Sequence, residues 1–213
     1  NLSGPEGDLA SVRPVAFTSV PRLLEKVYEA IYNKGLELKG VKRNLFFWAL
    51  SLTDQYQPDQ KRSFVEGLKW KVADALIFSK WRAALGGNIR MVVTGAAPCP
   101  VKILRVFSAA GIKINEGYGL TETSPILTGN RMEPGGTVLG TVGYVVDGVD
   151  LYIDPSDGQW EEGEGEILAH GPNVMSGYYK KPEVSQQVFK EIDGKTWFCT
   201  GDIGTFVRGP GGK

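Results

Sequence analysis

The chain has 213 residues, of which 42% are hydrophobic and 23% charged, and its 24 Lys and Arg balance 24 Asp and Glu. That is the composition of an ordinary globular protein, with no overall field to attract nucleic acid or an anionic surface. Two cysteines (Cys99 and Cys199) and one histidine (His170) exclude a disulfide framework and a zinc cluster, and no apolar run approaches the roughly 18 residues of a membrane span, so a cytoplasmic protein is expected.

"PVAFTSV" (Pro14 to Val20) reads as a short strand. After Pro21, Leu23, Leu24, Val27 and Ile31 recur at helical spacing, with Lys and Glu on the other face, which predicts a helix to Leu38. Further helices are expected over Arg43 to Leu52 and Ser63 to Leu85, with Phe46, Phe47, Trp48, Trp70 and Trp81 as core aromatics. "NIRMVVTG" is a buried-strand run, "CPVKILRVFSAAG" a helix with Pro100 at its start and Gly111 after its end, and "IKINEGYG" a second strand. Strand, helix and strand at this length form a βαβ unit with parallel strands, and ligands of such sheets sit beyond the carboxyl ends of the strands. "TGAAP" and "EGYGLTETS" should therefore emerge at one edge.

From about Gly135 short β runs alternate with Gly, Asp and Pro turns, the pattern of an antiparallel meander or small barrel. The acidic "EEGEGE" (Glu161 to Glu166) reads as a solvated hairpin tip, "KKPEVSQQVF" as one short helix, and "TWFCTGDIGTFV" as a strand interrupted at Gly201. The fold class expected is α/β: parallel βαβ layers with surrounding helices over 1–134, a small antiparallel barrel-like subdomain over 135–207, and a tail over 208–213. A start at Asn1 rather than methionine and an end in "GPGGK" suggest part of a longer protein.

The ten residues "NEGYGLTETS" (Asn115 to Ser124) hold a ring flanked by glycines, then hydroxyls on either side of a carboxylate. Tyr118 between Gly117 and Gly119 could stack a planar heterocycle, or simply occupy a tight turn. Thr121 suits a phosphate oxygen and Glu122 a hard cation such as magnesium; the same pair could cap a helix. The small residues Gly95, Ala96 and Ala97 would let a flat ring lie against backbone, or make an ordinary turn. Asp202 in "TGD" could accept both hydroxyls of a ribose, or be a lone turn aspartate. Together these groups would fit a magnesium nucleotide. Other signals fail: "GPGGK" lacks the spacing and the following Ser or Thr of a Walker loop, no GxGxxG opens a helix, and one histidine supports no Ser-His-Asp arrangement.

"YGLTETS" with upstream "VVTGAAP" and downstream "WFCTGD" resembles the adenylate-forming acyl-CoA synthetases, the superfamily of luciferases and peptide-synthetase adenylation domains. "FTSVPRLLEKVYEAIYNK", "IFSKWRAALGGNIRMVVTGAAP" and "GPNVMSGYYKKPE" are similar to its long-chain fatty acid branch. The resemblance implies an enzyme in which a fatty carboxylate attacks the α-phosphate of ATP and coenzyme A thiol then displaces AMP. It implies that Tyr118 stacks on adenine with Gly95, Ala96 and Ala97 opposite, and that Glu116, Gly117 and Gly119 border the same site. Thr121 would hold the phosphates, Glu122 the magnesium and Asp202 the ribose; Gly95 and Gly117 would also border the acyl channel. In-line attack at phosphorus is mostly positioning and charge neutralisation, so no triad is needed. The family's Ser/Thr/Gly-rich phosphate loop and its mobile C-terminal domain with a catalytic lysine are not in this sequence, so these 213 residues alone are expected not to catalyse. An adenylation domain for amino or aryl acids, and a non-catalytic acyl- or partner-binding homologue, are the rival expectations. Lipid substrates leave peripheral membrane contact open, though no sequence feature demonstrates it.

Overall fold

A computed structural model describes residues 7–156, 158 and 160–208. The chain divides into two compact units, one running through Glu116 and taking in Met132–Thr141, the other made of Gly117–Arg131 and the residues from Val142 onward. The division falls inside a strand rather than at residue 135, where the sequence changes character.

The first unit holds three parallel strands in the order β1 (Ala16–Ser19), β2 (Met91–Thr94) and the part of β3 (Lys113–Tyr118) up to Glu116, whose register sets Ser19 beside Thr94 and Thr94 beside Glu116. Parallel neighbours need long crossovers. The first consists of α2 (Pro21–Glu37), α3 (Gly40–Leu52), α4 (Phe64–Ala73) and α5 (Ser79–Ala84), after a short α1 (Asp8–Val12); the second is α6 (Val101–Ala109) alone. Proline opens α2, where its missing N–H has no intrahelical partner to lose. Ser63 and Glu66 close a capping box at the start of α4: the Ser63 amide donates to Glu66 Oε2 at 2.8 Å, and the Glu66 amide to Ser63 Oγ at 3.4 Å.

The helix expected over Ser63 to Leu85 is interrupted by a π-helical turn, Asp74–Phe78, between α4 and α5. Arg82 grips both carboxylate oxygens of Asp74 at 2.6 and 3.0 Å and donates to the Ala110 carbonyl at 2.7 Å, fixing the turn to the end of α6. Amphipathic α6 serves two cores. Ile103, Leu104 and Phe107 pack with Val92 and Ile114 of the sheet and with Ile112 just before β3, while Val106 and Ala110 pack with Phe46, Phe78 and Trp81. Phe46 and Trp81 are buried, and Phe47, Trp48 and Trp70 pack against that cluster, so the core role expected of the aromatics is met.

In the second unit the last two residues of β3 turn antiparallel: Gly117 and Tyr118 pair with β4 (Thr128–Gly129), which pairs with β5 (Tyr144–Val145). A separate antiparallel sheet runs β6 (Asp150–Asp154), β7 (Glu164–His170), β9 (Lys195–Thr205) and β8 (Phe189–Ile192), with α7 (Pro182–Gln187) between β7 and β8 in sequence. Of the meander or small barrel expected, the strand order leaves the barrel-like subdomain and excludes a simple meander, since β9 inserts between β7 and β8. Nor is "EEGEGE" wholly a hairpin tip. Glu164 to Glu166 lie in β7, and Glu166 stands 3.8 Å from Lys190, which also bonds the buried Asp154 at 3.1 Å. His170 is structural, its Nδ1–H donating to the Thr196 carbonyl at 2.9 Å. Residues 209–213, including most of the expected tail and its "GPGGK" turn, lie outside the described residues.

Candidate functional site

Among the expected site residues, Tyr118 and Asp202 meet directly: the tyrosine hydroxyl donates to Asp202 Oδ2 at 2.8 Å across 84 positions of sequence. The aspartate is set by a bulge rather than a turn. Between the pairs Glu166–Ile203 and Leu168–Cys199 the register shifts, so Thr200, Gly201 and Asp202 face Ile167 alone. Such a bulge re-aims a side chain. Gly201 supplies the conformation, with φ at 77°, and its amide donates to Glu166 Oε1 at 2.9 Å. Thr200 Oγ donates to the Ile167 carbonyl at 2.8 Å and accepts from the Asp202 amide at 3.1 Å.

The Tyr118 ring is half-buried against the cluster of Leu127, Val149 and Ala169. Burial, then the bond to Asp202 and the nearby Glu166 charge, push its phenol above the ordinary tyrosine range, against a lowering bond from Thr200; it stays a neutral donor to the aspartate. Gly119 has a steric reason of its own, since a Cβ there would lie inside the Pro125 carbonyl. At Gly117 an added Cβ would stand 3.2 Å from the Thr128 carbonyl oxygen and 3.5 Å from Ile126 Cδ1, so a larger residue would crowd the β3–β4 pair.

Thr121 and Glu122 do not cap a helix. They sit in a single 3₁₀ turn, Thr121–Thr123, followed by Ser124 with φ at 50°. Buried Thr123 closes that turn, its Oγ accepting from the Leu120 amide at 2.9 Å and donating to the Leu120 carbonyl at 3.0 Å. Thr121 is left exposed and Glu122 half-buried. The turn is held from the segment after β7: Asn173 Nδ2 donates to the carbonyls of Thr123 and Ile126, both at 2.8 Å, and the Met175 amide donates to the Glu122 carbonyl at 2.8 Å. Tyr178 then donates to Glu122 Oε1 at 2.9 Å, a bond that raises the tyrosine's own pKa.

Each site carboxylate of this unit is thus held by a tyrosine hydroxyl. Sequence reading singled out neither Asn173 nor Tyr178. Both lie in "GPNVMSGYY", a stretch legible only as a resemblance, because nothing local ties it to a turn about fifty residues earlier.

Gly95, Ala96 and Ala97 belong to the other unit, just past the end of β2. The left-handed backbone there falls on Ala96, with φ at 65°, a conformation that disfavours an L side chain by about 1 kcal/mol. Glu116 is also in this unit. It is only 7% exposed, accepts the Cys99 amide at 3.2 Å and is bonded by the backbone of Gly140, tying the entry of α6 to the 132–141 segment. Its Oε2 and the neighbouring Thr94 Oγ are buried with no protein partner among the described residues. Burial, opposed by the two backbone bonds, raises its pKa above the usual carboxylate range. Buried Cys99 beside it is pushed up to about 12, first by burial and then by the Glu116 charge, and is no reactive thiol.

A carboxyl whose pKa is raised on folding favours the folded state below the unfolded pKa and loses that contribution as pH rises through the folded value. Glu116→Gln keeps an acceptor for the two amides and removes the titration. Its melting temperature should gain on the parent's as pH climbs from 4 towards 8, by about a few degrees. A constant difference across that range would show that Glu116 does not carry the linkage.

The donor set also bears on metal binding. Among the described residues no group of three or more His, Cys, Asp or Glu could hold an ion. Glu122 is a single carboxylate, which fits magnesium, an ion usually held by one or two carboxylates together with substrate phosphates and waters.

A family model of AMP-binding enzymes matches residues 5–179. The chain belongs to the AMP-binding enzyme family. Long chain acyl-CoA synthetase 3 of Arabidopsis thaliana is 34% identical over 212 residues, covering 92% of this chain and 29% of that protein. Long-chain-fatty-acid--CoA ligase 6 of Rattus norvegicus is 34% identical over 204 residues, covering 94% and 28%. The chain therefore spans under a third of the length of these curated relatives. Among solved structures, a malonyl-CoA ligase complex with methylmalonyl-CoA and AMP bound is 26% identical, with a TM-score of 0.58 over 98% of this chain and 35% of the other. A long-chain-fatty-acid-CoA ligase of Archaeoglobus fulgidus shares the fold at 18% identity, with a TM-score of 0.57 over 93% and 33%. The α/β architecture expected from the sequence is that of acyl-CoA synthetase N-terminal regions.

Proposed function

We propose that this chain is the adenosine-holding part of an ATP-dependent long-chain fatty acid–CoA ligase. The observation that carries the reading is the 2.8 Å bond from Tyr118 to Asp202, which puts an aromatic face and a ribose-competent carboxylate side by side. In this reading the Tyr118 ring stacks on adenine, and Asp202, aimed by the bulge at Gly201, accepts the ribose hydroxyls. Gly117 and Gly119 leave the backbone on either side of that ring free of side chains. Thr121 donates its hydroxyl to a phosphate oxygen, and Glu122 is the protein's ligand for magnesium. Bound magnesium supplies charge neutralisation on the phosphates.

The fatty carboxylate oxygen forms a bond to the α-phosphorus as the bond to the bridging oxygen breaks. Pyrophosphate leaves with that electron pair, and the acyl-adenylate remains. The coenzyme A thiol, losing its proton, then adds to the acyl carbon and expels AMP. No side chain of this chain becomes covalently attached. What these residues contribute is orientation and charge, the main demands of phosphoryl chemistry.

The test is exchange of labelled pyrophosphate into ATP by the full-length protein that contains this segment. Palmitate should stimulate exchange strongly, and amino acids and benzoate should not. Stimulation by an amino or aryl acid alone would replace the substrate class, and no stimulation by any carboxylate would remove the activity.

A further inference from the structure

Helix α4 and the π turn after it are apolar on two opposite faces. One face carries Ala73, Ile77 and Phe78 into the second core, with Trp70 packed at its margin. The other carries Phe64, Val65, Leu68, Val72 and Leu76, all exposed, with Phe64 at 90%, Leu68 at 56% and Leu76 at 43%. Their spacing of three and four residues makes a continuous stripe. Scattered exposed hydrophobics are normal on a protein surface; a stripe of five on one helix is not.

Exposed basic side chains border this stripe. Lys61 and Arg62 precede the capping box, Lys69 and Lys71 flank Leu68 and Val72, and Lys80 follows in α5. Arg62 is held 4.1 Å over the Trp70 ring. The acids of the same stretch are engaged, Glu66 in the capping box and Asp74 with Arg82. From 61 to 80 the chain thus has five basic residues (61, 62, 69, 71 and 80) against two acidic ones (66 and 74), in a protein whose net charge is zero.

A protein partner is a poor fit to this border, since lysine is depleted where protein interfaces close over apolar residues. A bilayer surface fits it well. Lysine stems can lie along the stripe with their ammonium groups raised to anionic headgroups while the apolar residues enter the acyl boundary. We propose that α4 is a membrane-surface helix that docks this protein on anionic lipid. The proposal does not depend on the adenylation chemistry.

The experiment is co-sedimentation of the full-length protein with vesicles of equal parts phosphatidylcholine and phosphatidylglycerol, against phosphatidylcholine alone. Binding is expected to the anionic vesicles and to weaken with salt. Lys69→Gln with Lys71→Gln should weaken it about thirtyfold, and Leu68→Glu or Phe64→Ser about tenfold, with pyrophosphate exchange in vesicle-free buffer unchanged. Three results would overturn the proposal. The protein could ignore anionic vesicles, or Leu68→Glu and Phe64→Ser could both bind like the parent. Leu68→Glu could also lower the melting temperature or dissolve an oligomer without altering vesicle binding, which would show the stripe covered by protein.

Discussion

Asp202→Ala in the full-length protein is expected to raise the KM for ATP about a hundredfold, the loss of two hydrogen bonds to a charged acceptor. The KM for the fatty acid should stay within about twofold of the parent's if, as proposed, the residue touches only the ribose. Tyr118→Phe isolates the other half of the pair. It keeps the ring that would stack on adenine and removes the hydroxyl that stands 2.8 Å from the aspartate, so its effect should be about fivefold on the same KM. The double variant should be no worse than Asp202→Ala alone, because the hydroxyl acts only through that carboxylate. Steady-state kinetics with ATP and palmitate varied separately would check all three. An Asp202→Ala enzyme with an unaltered KM for ATP would dissociate the bulge from nucleotide binding.

Glu122→Ala is expected to lower kcat about a hundred- to a thousandfold, the range seen when one group that neutralises transition-state charge is removed. The informative companion is Tyr178→Phe. Tyr178 reaches no reacting atom in this reading; it holds Glu122 through the 2.9 Å bond to Oε1. Partners of metal ligands commonly contribute ten- to a hundredfold to metal affinity, so Tyr178→Phe should need about tenfold more magnesium for half-maximal pyrophosphate exchange. Manganese binding in the presence of ATP, followed by the metal's own paramagnetic signal, should weaken by a similar factor. A structural defect at position 178 would lower activity at every magnesium concentration alike.

How much of this could be read from the chain depended on how local each signal was. The βαβ unit was legible because its strands, its Pro100 start and its Gly111 stop lie within thirty residues, and Gly111 does take a left-handed φ of 82°. Tyr118, Thr121 and Glu122 stand out in the sequence because they fall within five residues beside bare glycine backbone. Asp202 was seen as a turn residue, whereas it is set by a bulge opposite Ile167, which only knowledge of the β7–β9 pairing reveals.

That pairing was out of reach for the same reason that β9 was not placed between β7 and β8. Alternation of apolar and polar residues shows which residues face inward and says nothing about which strand lies alongside. The π turn at Asp74–Phe78 had no sequence mark, since helical spacing continues through it and Arg82, not a breaker, fixes it. Asn173 and Tyr178 hold a turn about fifty positions upstream, a relation no window of sequence contains. The exposed stripe of α4 was present as apolar letters, but only burial separates its two faces.

The most direct test of the central claim is photolabelling of the full-length protein with an azido-ATP carrying its reactive group on adenine, followed by mapping of the labelled peptide. Labelling should fall on Tyr118 or the residues beside it, be suppressed by unmodified ATP, and drop sharply in Asp202→Ala. ATP-protected label confined to peptides lacking residues 117–122 would contradict the account.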